Sequence, residues 1–127
     1  MFIAKLTITF VRYINMFMSM LQENIPLKSY NTFGVAANSD FFAEVFNETD
    51  LKKLLGMPIV KQQPLLVLGG GSNLLFTKDF RGLVIKVSIP GISSVVEDDD
   101  VIVTAGAGVI WNNFVNYCVN SGFAGVE

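Results

Sequence analysis

The pattern of apolar and polar positions predicts a series of short strands after residue 22. Three apolar runs have the length and composition of β-strands: Phe41–Phe46 (FFAEVF), Leu65–Leu68 (LLVL) and Gly82–Val87 (GLVIKV). Ile92–Val96 and Val101–Ala105 flank an acidic run, Glu97–Asp100, and this pattern predicts a β-hairpin. Because adjacent acids lack the spaced oxygen ligands of a calcium loop, we interpret the acidic run as a solvated turn.

Two further segments have the features of helices. Asn47–Leu55 (NETDLKKLL) carries acids in its first turn and lysines later, with Asn47 as the N-cap and Gly56 at the C′ position. From Val109 to Gly122, asparagines occupy one face and apolar residues the other; the apolar stripe consists of Ile110, Trp111, Phe114, Val115, Cys118 and Val119. We expect this stripe, with its tryptophan and its cysteine, to pack in the core. The order of elements predicts an α+β domain with some parallel strand pairing.

Composition narrows the possible functions. The chain has 127 residues, of which 51% are hydrophobic, and this is enough for the core of one domain. The net charge of −2 and the lack of a basic cluster argue against a nucleic-acid-binding surface. The sequence has one cysteine and no histidine, so it cannot form an internal disulfide, a Cys/His metal site or a nucleophile paired with histidine.

The first 22 residues form an apolar, weakly basic extension with three possible interpretations. A signal peptide or membrane anchor is the first, although Lys5 and Arg12 interrupt the apolar run and no small-residue cleavage site follows. A helix or strand packed on the domain is the second. The third is an upstream extension of the true start, because the segment contains three alternative start positions, Met16, Met18 and Met20. We therefore divide the chain into an extension, residues 1–22, and a domain, residues 23–127.

The sequence Leu68–Phe76 (LGGGSNLLF) places three glycines directly after a predicted strand. The dinucleotide motif G-x-G-x-x-G and the P-loop both fail, because Leu74 and Leu75 stand where these motifs need glycine or lysine. A new β run also begins too soon for the helix that follows either motif. Two interpretations stay open. One is a tight turn that needs positive φ; the other is a loop whose amides, with the Ser72 hydroxyl and the Asn73 amide, bind an anion such as pyrophosphate.

Five sequence blocks resemble the family of UDP-N-acetylenolpyruvoylglucosamine reductases, in the order and spacing of that family. They cover most of residues 25–127: Tyr30–Val35 (YNTFGV), Leu68–Phe76 (LGGGSNLLF), Asp79–Ile85 (DFRGLVI), Ala105–Trp111 (AGAGVIW) and Gly122–Glu127 (GFAGVE). The resemblance implies the N-terminal portion of a two-lobed FAD-binding domain of the vanillyl-alcohol-oxidase/PCMH type, with mixed sheets and flanking helices.

For function, the resemblance implies FAD binding and the reduction of an enolpyruvyl ether. In that family NADPH passes hydride to the flavin, which reduces UDP-N-acetylglucosamine enolpyruvate to UDP-N-acetylmuramate for cytoplasmic synthesis of peptidoglycan precursors. The residues that correspond to cofactor contacts are Gly69, Gly70, Gly71, Ser72, Asn73, Leu74, Thr32, Gly106 and Gly108. By resemblance, residues 69–73 lie against the FAD pyrophosphate, and Thr32 and the AGAG segment lie near the same cofactor.

The same resemblance indicates which parts of the family's site have no counterpart here. An Ile-Pro-Gly segment that completes the flavin site, and the arginine, serine and glutamate that bind and protonate the substrate, correspond to positions beyond Glu127. We therefore assign no catalytic residue and no metal site, and we expect a catalytically incompetent fragment that holds FAD weakly or not at all. The alternatives are another FAD-dependent oxidoreductase of the same domain type and a non-catalytic flavin-domain remnant. The expected partners are FAD and a UDP-sugar, with no nucleic acid and no membrane.

Overall fold

The computed structural model describes residues 20–126, which form a four-stranded mixed sheet, a two-stranded hairpin and flanking helices. The sheet contains β1 (Gln22–Pro26), β2 (Asn38–Val45), β3 (Leu65–Leu68) and β4 (Phe80–Val87), in the spatial order β1, β2, β4, β3. The hairpin pairs β5 (Ile92–Glu97) with β6 (Asp100–Ala105). The helices are α1 (Glu48–Leu55), α2 (Pro58–Lys61) and α3 (Trp111–Asn120), and a 3-10 turn spans Lys28–Tyr30. These elements confirm the predicted α+β class.

Three of the four strands in the sheet run parallel to one another. β2 and β3 pair with the two sides of β4, so that Val84 faces Phe42 on one side and Leu66 on the other. β1 adds to β2 in the antiparallel direction. Because the carboxyl ends of parallel strands meet at one edge, the segments that follow β2, β3 and β4 leave the sheet together. Open α/β sheets bind their ligands at this edge.

Alternation along β2 and β4 distributes buried side chains to both faces of the sheet. On one face α1 and α2 cover a cluster of Ala43, Val45, Leu54, Met57, Val60, Leu83, Ile85 and Val87. On the other face the 3-10 turn and the chain after β3 contribute to a second cluster of Leu27, Ala37, Phe42, Leu68, Phe76 and Val84. Tyr30 extends this second cluster, with its ring centroid 4.6 Å from that of Phe42. Burial on both faces explains why the central strands read as continuous apolar runs.

The helix ends follow the predicted sequence signals in two of three cases. Asn47 caps α1, since its side-chain oxygen accepts a hydrogen bond from an amide of the first turn at 2.9 Å. Gly122 follows α3 with φ +74°, and its amide and the next one donate back to carbonyls of the last turn in a Schellman motif. Gly56 has φ −74° and is the C-cap of α1, so its prediction as a C′ glycine is wrong. Its amide bonds to the last carbonyls of the helix from an ordinary right-handed conformation.

Helix α3 differs from the predicted core helix. Cys118 is buried as expected, but Trp111 is 67% exposed and Ile110 and Val119 are also exposed. Trp111 pairs with Phe114 at a centroid distance of 5.4 Å and lines a shallow groove with residues of β6. The expectation that Trp111 packs in the core is therefore wrong. Helical periodicity shows that one face is apolar, but it does not show what covers that face.

The remaining sequence predictions concern the hairpin turn and the amino terminus. Asp98 and Asp99 form the exposed turn of the predicted hairpin, with Asp98 at φ +51°, and Glu97 and Asp100 pair as the strand residues on either side of it. In residues 20–126, no helix combines the length and the hydropathy needed to cross a membrane. The three interpretations of the first 22 residues concern mainly residues 1–19, which lie outside the described residues. The domain boundary after residue 22 stays a prediction.

Candidate functional site

The candidate site is built on the glycine loop, residues 69–73, which follows β3 at the carboxyl edge of the parallel strands. Leu68 is the last residue of β3 and pairs with Lys86 of β4. The chain then crosses the sheet edge without a helix before β4 begins at Phe80. A ligand at this loop therefore meets backbone amides and short side chains rather than the end of a helix.

The three glycines of the loop differ in whether the fold requires glycine at their position. Gly71 is buried with φ +70°, and a Cβ atom there would overlap the carbonyl oxygen of Tyr30. Gly69 and Gly70 are exposed, lack positive φ, and have no described atom within 4 Å of an added Cβ. The tight-turn interpretation thus explains Gly71 alone. The fold leaves open space at Gly69 and Gly70, where a bound group can approach the backbone.

Hydrogen bonds fix the direction of two peptide groups in the loop. Lys86 Nζ donates to the Gly69 carbonyl at 2.7 Å. Thr32 donates to the Gly71 carbonyl from its backbone amide at 3.2 Å and from Oγ1 at 3.4 Å. In a trans peptide the N–H points opposite to the C=O, so the amides of Gly70 and Ser72 point away from Lys86 and Thr32.

The loop amides are available to a ligand. Among residues 20–126, none accepts a hydrogen bond from the backbone amides of Gly70, Gly71, Ser72 or Asn73. The Ser72 and Asn73 side chains are exposed and can add a hydroxyl and an amide donor. A glycine in the left-handed conformation within such a run lets successive N–H groups converge on one anion. Leu74 differs from these residues, because it packs against the second core cluster and anchors the end of the loop.

Asn31 holds the segment that carries Thr32, a role that sequence patterns did not predict. It is buried, and its Nδ2 donates to the carbonyls of Leu27 at 2.8 Å and Val35 at 3.1 Å. Its Oδ1 accepts from the Val35 amide at 3.0 Å. The side chain therefore closes residues 27–35 into a compact loop that presents Thr32 to Gly71. The only sequence signal was the asparagine inside the YNTFGV block, and spacing gave it no specific contact.

The AGAG segment lies at the same edge of the sheet, after β6. A Cβ atom at Gly106 would overlap the carbonyl oxygens of Ile89 and Pro90, and one at Gly108 would overlap backbone atoms of Ser88 and Ile89. The Gly108 amide donates to the Ile89 carbonyl at 2.8 Å. Close packing on the chain that leaves β4 therefore accounts for both glycines. Their contact with a cofactor stays a prediction.

This arrangement fits a pyrophosphate, the group that the resemblance places at the loop. The open space at Gly69 and Gly70, the amides without acceptors and the exposed donors at residues 72 and 73 are the features that a phosphate-binding loop needs. No group of three or more His, Cys, Asp or Glu side chains able to hold a metal ion occurs within the part of the chain that is described.

Comparison with known proteins identifies the family and the fold. The FAD binding domain family matches residues 39–127. The chain is 47% identical over 108 residues to the UDP-N-acetylenolpyruvoylglucosamine reductase of Amoebophilus asiaticus and 46% identical over 107 residues to that of Chromobacterium violaceum. These matches cover 84% of this chain but only 32% and 31% of the two relatives.

A solved structure supports the fold. The UDP-N-acetylenolpyruvylglucosamine reductase of Thermus caldophilus superposes with a TM-score of 0.58 at 23% identity, over 84% of this chain and 36% of that one. The chain thus spans about a third of the length of the curated relatives it matches. Because the family match extends over most of the described strands and over the whole glycine loop, the chain belongs to the FAD-binding domain family.

Proposed function

We propose that this chain is the FAD-binding part of a UDP-N-acetylenolpyruvoylglucosamine reductase, and that residues 69–73 bind the FAD pyrophosphate. The observation that carries the proposal is the glycine loop, in which two carbonyls are held by Lys86 and Thr32 while four amides have no acceptor among the described residues. The names of the relatives supply the reaction class.

Each residue of the loop has a separate role in this proposal. Gly70 and Ser72 offer amides whose direction is fixed, and Gly69 and Gly70 keep the approach open. Thr32 and Asn31 act from behind the loop, since Thr32 donates to the Gly71 carbonyl and Asn31 donates to a carbonyl of its own segment. Gly106 and Gly108 bring the AGAG segment to the same sheet edge, where it is proposed to line the cofactor site.

Bound FAD would supply hydride transfer to an enolpyruvyl ether. NADPH as the reductant, the UDP-sugar substrate, peptidoglycan precursor synthesis and a cytoplasmic location belong to the same proposal and rest on the resemblance and on the names of the relatives. The described residues of the loop bind and orient the cofactor. Because the chain matches about a third of its relatives, we propose that the 127 residues alone hold FAD only weakly and do not complete the reduction.

Flavin binding tests the cofactor assignment. We expect the purified chain to bind FAD more tightly than FMN, and FMN more tightly than riboflavin, because the loop contacts the phosphates. Gly70→Val adds a side chain in open space and should keep the fold while it blocks approach to the amides. Equal affinity for all three flavins, or full FAD binding by Gly70→Val, would contradict the assignment of the loop.

A chimaera tests the reaction. Residues 23–127 would replace the matching third of the Amoebophilus asiaticus reductase, which is 47% identical to this chain. We expect NADPH oxidation that depends on UDP-N-acetylglucosamine enolpyruvate, and none in the same chimaera with Gly70→Val. A chimaera that folds and binds FAD but does not turn over that substrate would favour another FAD-dependent oxidoreductase. A chimaera that folds but binds no flavin would favour a non-catalytic remnant.

A further inference from the structure

Lys86 stands out as the one charged residue in the apolar strand sequence LVIKV of β4. It lies one position before the end of the strand, on the same sheet face as Phe42 and Val84 of the second core cluster. The side chain is half-buried, and its Nζ reaches the Gly69 carbonyl at 2.7 Å. A lysine in this position places an ammonium group directly behind the glycine loop.

The ammonium of Lys86 forms no ion pair with the carboxylate that is its partner in the sheet register. Glu44 of β2 is paired with Lys86 across the parallel strands, but its Oε1 accepts a hydrogen bond from Ser88 Oγ at 2.6 Å. Ion pairs within residues 20–126 join Lys52 to Glu48, Lys53 to Asp50 and Arg81 to Asp40, and Lys86 forms none there. Its positive charge therefore remains directed at the loop.

We propose that Lys86 is a positioning residue that makes the glycine loop selective for the pyrophosphate of a dinucleotide. The proposal rests on the proposed function. By holding the Gly69 carbonyl, Lys86 orients the peptide so that the Gly70 amide points toward the ligand, and its charge favours an anion at the loop. Thr32 holds the Gly71 carbonyl, but without a charge. The sheet thus contributes the fixed cation that no helix terminus supplies here.

This role differs from simple packing in its dependence on ligand charge. A lysine that only packed against the loop would contribute equally at every ionic strength, and a methionine of similar length would replace it without loss of FAD affinity. A lysine that acts through charge and amide direction affects FAD and inorganic pyrophosphate, and it leaves riboflavin nearly unchanged. Its contribution also decreases with ionic strength, because the side chain is only half-buried.

The test compares three variants of the whole chain. Lys86→Met keeps the length of the side chain but removes the charge and the donor, Lys86→Arg keeps both, and Lys52→Met removes an exposed lysine of α1 as the matched control. Dissociation constants for FAD, riboflavin and magnesium-free inorganic pyrophosphate are measured for each. Circular dichroism and the thermal midpoint report whether each variant folds.

We expect Lys86→Met to weaken FAD and pyrophosphate binding by about 10- to 100-fold, the range for one hydrogen bond to a charged group. Lys86→Arg should recover affinity to within about threefold. Lys52→Met should change FAD affinity by less than about twofold, and riboflavin affinity should change by less than about twofold in every variant.

The inference is wrong if wild type binds FAD and Lys86→Met binds it equally well. It is also wrong if riboflavin binding falls as much as FAD binding. If folded wild type binds neither FAD nor pyrophosphate, the same measurements are made in the chimaera, and a folded chimaera that binds neither would overturn the proposed function together with the inference. If Lys86→Met does not fold, the salt dependence of flavin binding by wild type and by Lys86→Arg tests the inference instead. FAD affinity that falls with salt while riboflavin affinity does not would then support the inference, and equal salt dependence would overturn it.

Discussion

Gly71 lies so close to Tyr30 that the carbonyl oxygen of Tyr30 occupies the space of a side chain at position 71. The Thr32 amide, two residues further along, donates to the Gly71 carbonyl at 3.2 Å. Two segments that are about forty positions apart in sequence are thereby joined backbone to backbone. Tyr30 in turn packs against Phe42 of the central sheet with its ring tilted by 41°, so the glycine loop is fixed to the core through this contact.

This contact predicts that neighbouring glycines respond differently to the same substitution. Gly71→Ala should destabilise the fold by about 2–4 kcal/mol, because φ is +70° and the added Cβ overlaps backbone. Gly70→Ala should change the free energy of unfolding by less than about 0.5 kcal/mol, because its Cβ meets open space. Urea unfolding followed by circular dichroism measures both. Equal destabilisation would mean that the loop is not held by Tyr30.

A second prediction concerns Asn31, whose side chain makes three hydrogen bonds inside residues 27–35. Asn31→Ala should cost about 2–4 kcal/mol, because it leaves buried backbone groups without partners. FAD affinity should fall as well, since Thr32 loses its support. Asn112→Ala removes an exposed asparagine of α3 and serves as the control, with an expected change below about 0.5 kcal/mol. Thermal unfolding measures the stability of the two variants, and flavin titration measures their FAD affinity. Equal stability and equal FAD affinity in the two variants would contradict the prediction.

The strands and helices were largely predictable because each has a local signal. Apolar runs marked β3 and β4, the acidic run marked the hairpin turn, and Asn47 marked the start of α1. The predicted strand boundaries were too short for β2 and β4, which begin at polar or aromatic residues before the apolar run. Those additional residues join the ladder through their backbones, and side-chain patterns do not report that pairing.

Contacts between distant segments were not predictable from the sequence. The three glycines look alike in the letters GGG, but only Gly71 is required by the fold, because Tyr30 approaches from a segment far away. Lys86 looked like an ordinary strand residue until the register placed it behind Gly69. Trp111 had helical spacing and was wrongly expected in the core. In each case the environment of the residue depends on which distant segment packs against it, and residue spacing along one element does not contain that information.

A third prediction concerns Ser88, which holds the Glu44 carboxylate at 2.6 Å. Ser88→Ala should free Glu44 to form an ion pair with Lys86, its neighbour in the sheet register, and should draw the ammonium away from Gly69. We expect FAD affinity to fall several-fold in the wild-type background and not to fall further in Lys86→Met. A double-mutant cycle measures this coupling. Equal losses in both backgrounds would show that Ser88 acts independently of Lys86.

The last prediction uses Trp111, the single tryptophan of the chain. Because this residue is 67% exposed, its fluorescence should resemble that of tryptophan in water and should be quenched readily by iodide. Trp111→Ala should cost about 1 kcal/mol or less, mainly through its contact with Phe114. Phe42→Ala, in contrast, removes a buried ring and should cost about 3–5 kcal/mol.

The same fluorophore reports on the surface around α3. The groove that Trp111 lines with Val103, Ala105, Val109 and Phe114 is apolar and open. In the chimaera with the Amoebophilus asiaticus relative, we expect a blue shift and weaker iodide quenching if the added two thirds of the protein cover this groove. Other tryptophans of the relative are replaced by phenylalanine, so that Trp111 alone emits. A blue-shifted, unquenched Trp111 in the 127-residue chain by itself would show that the groove is already covered and would contradict its exposed position.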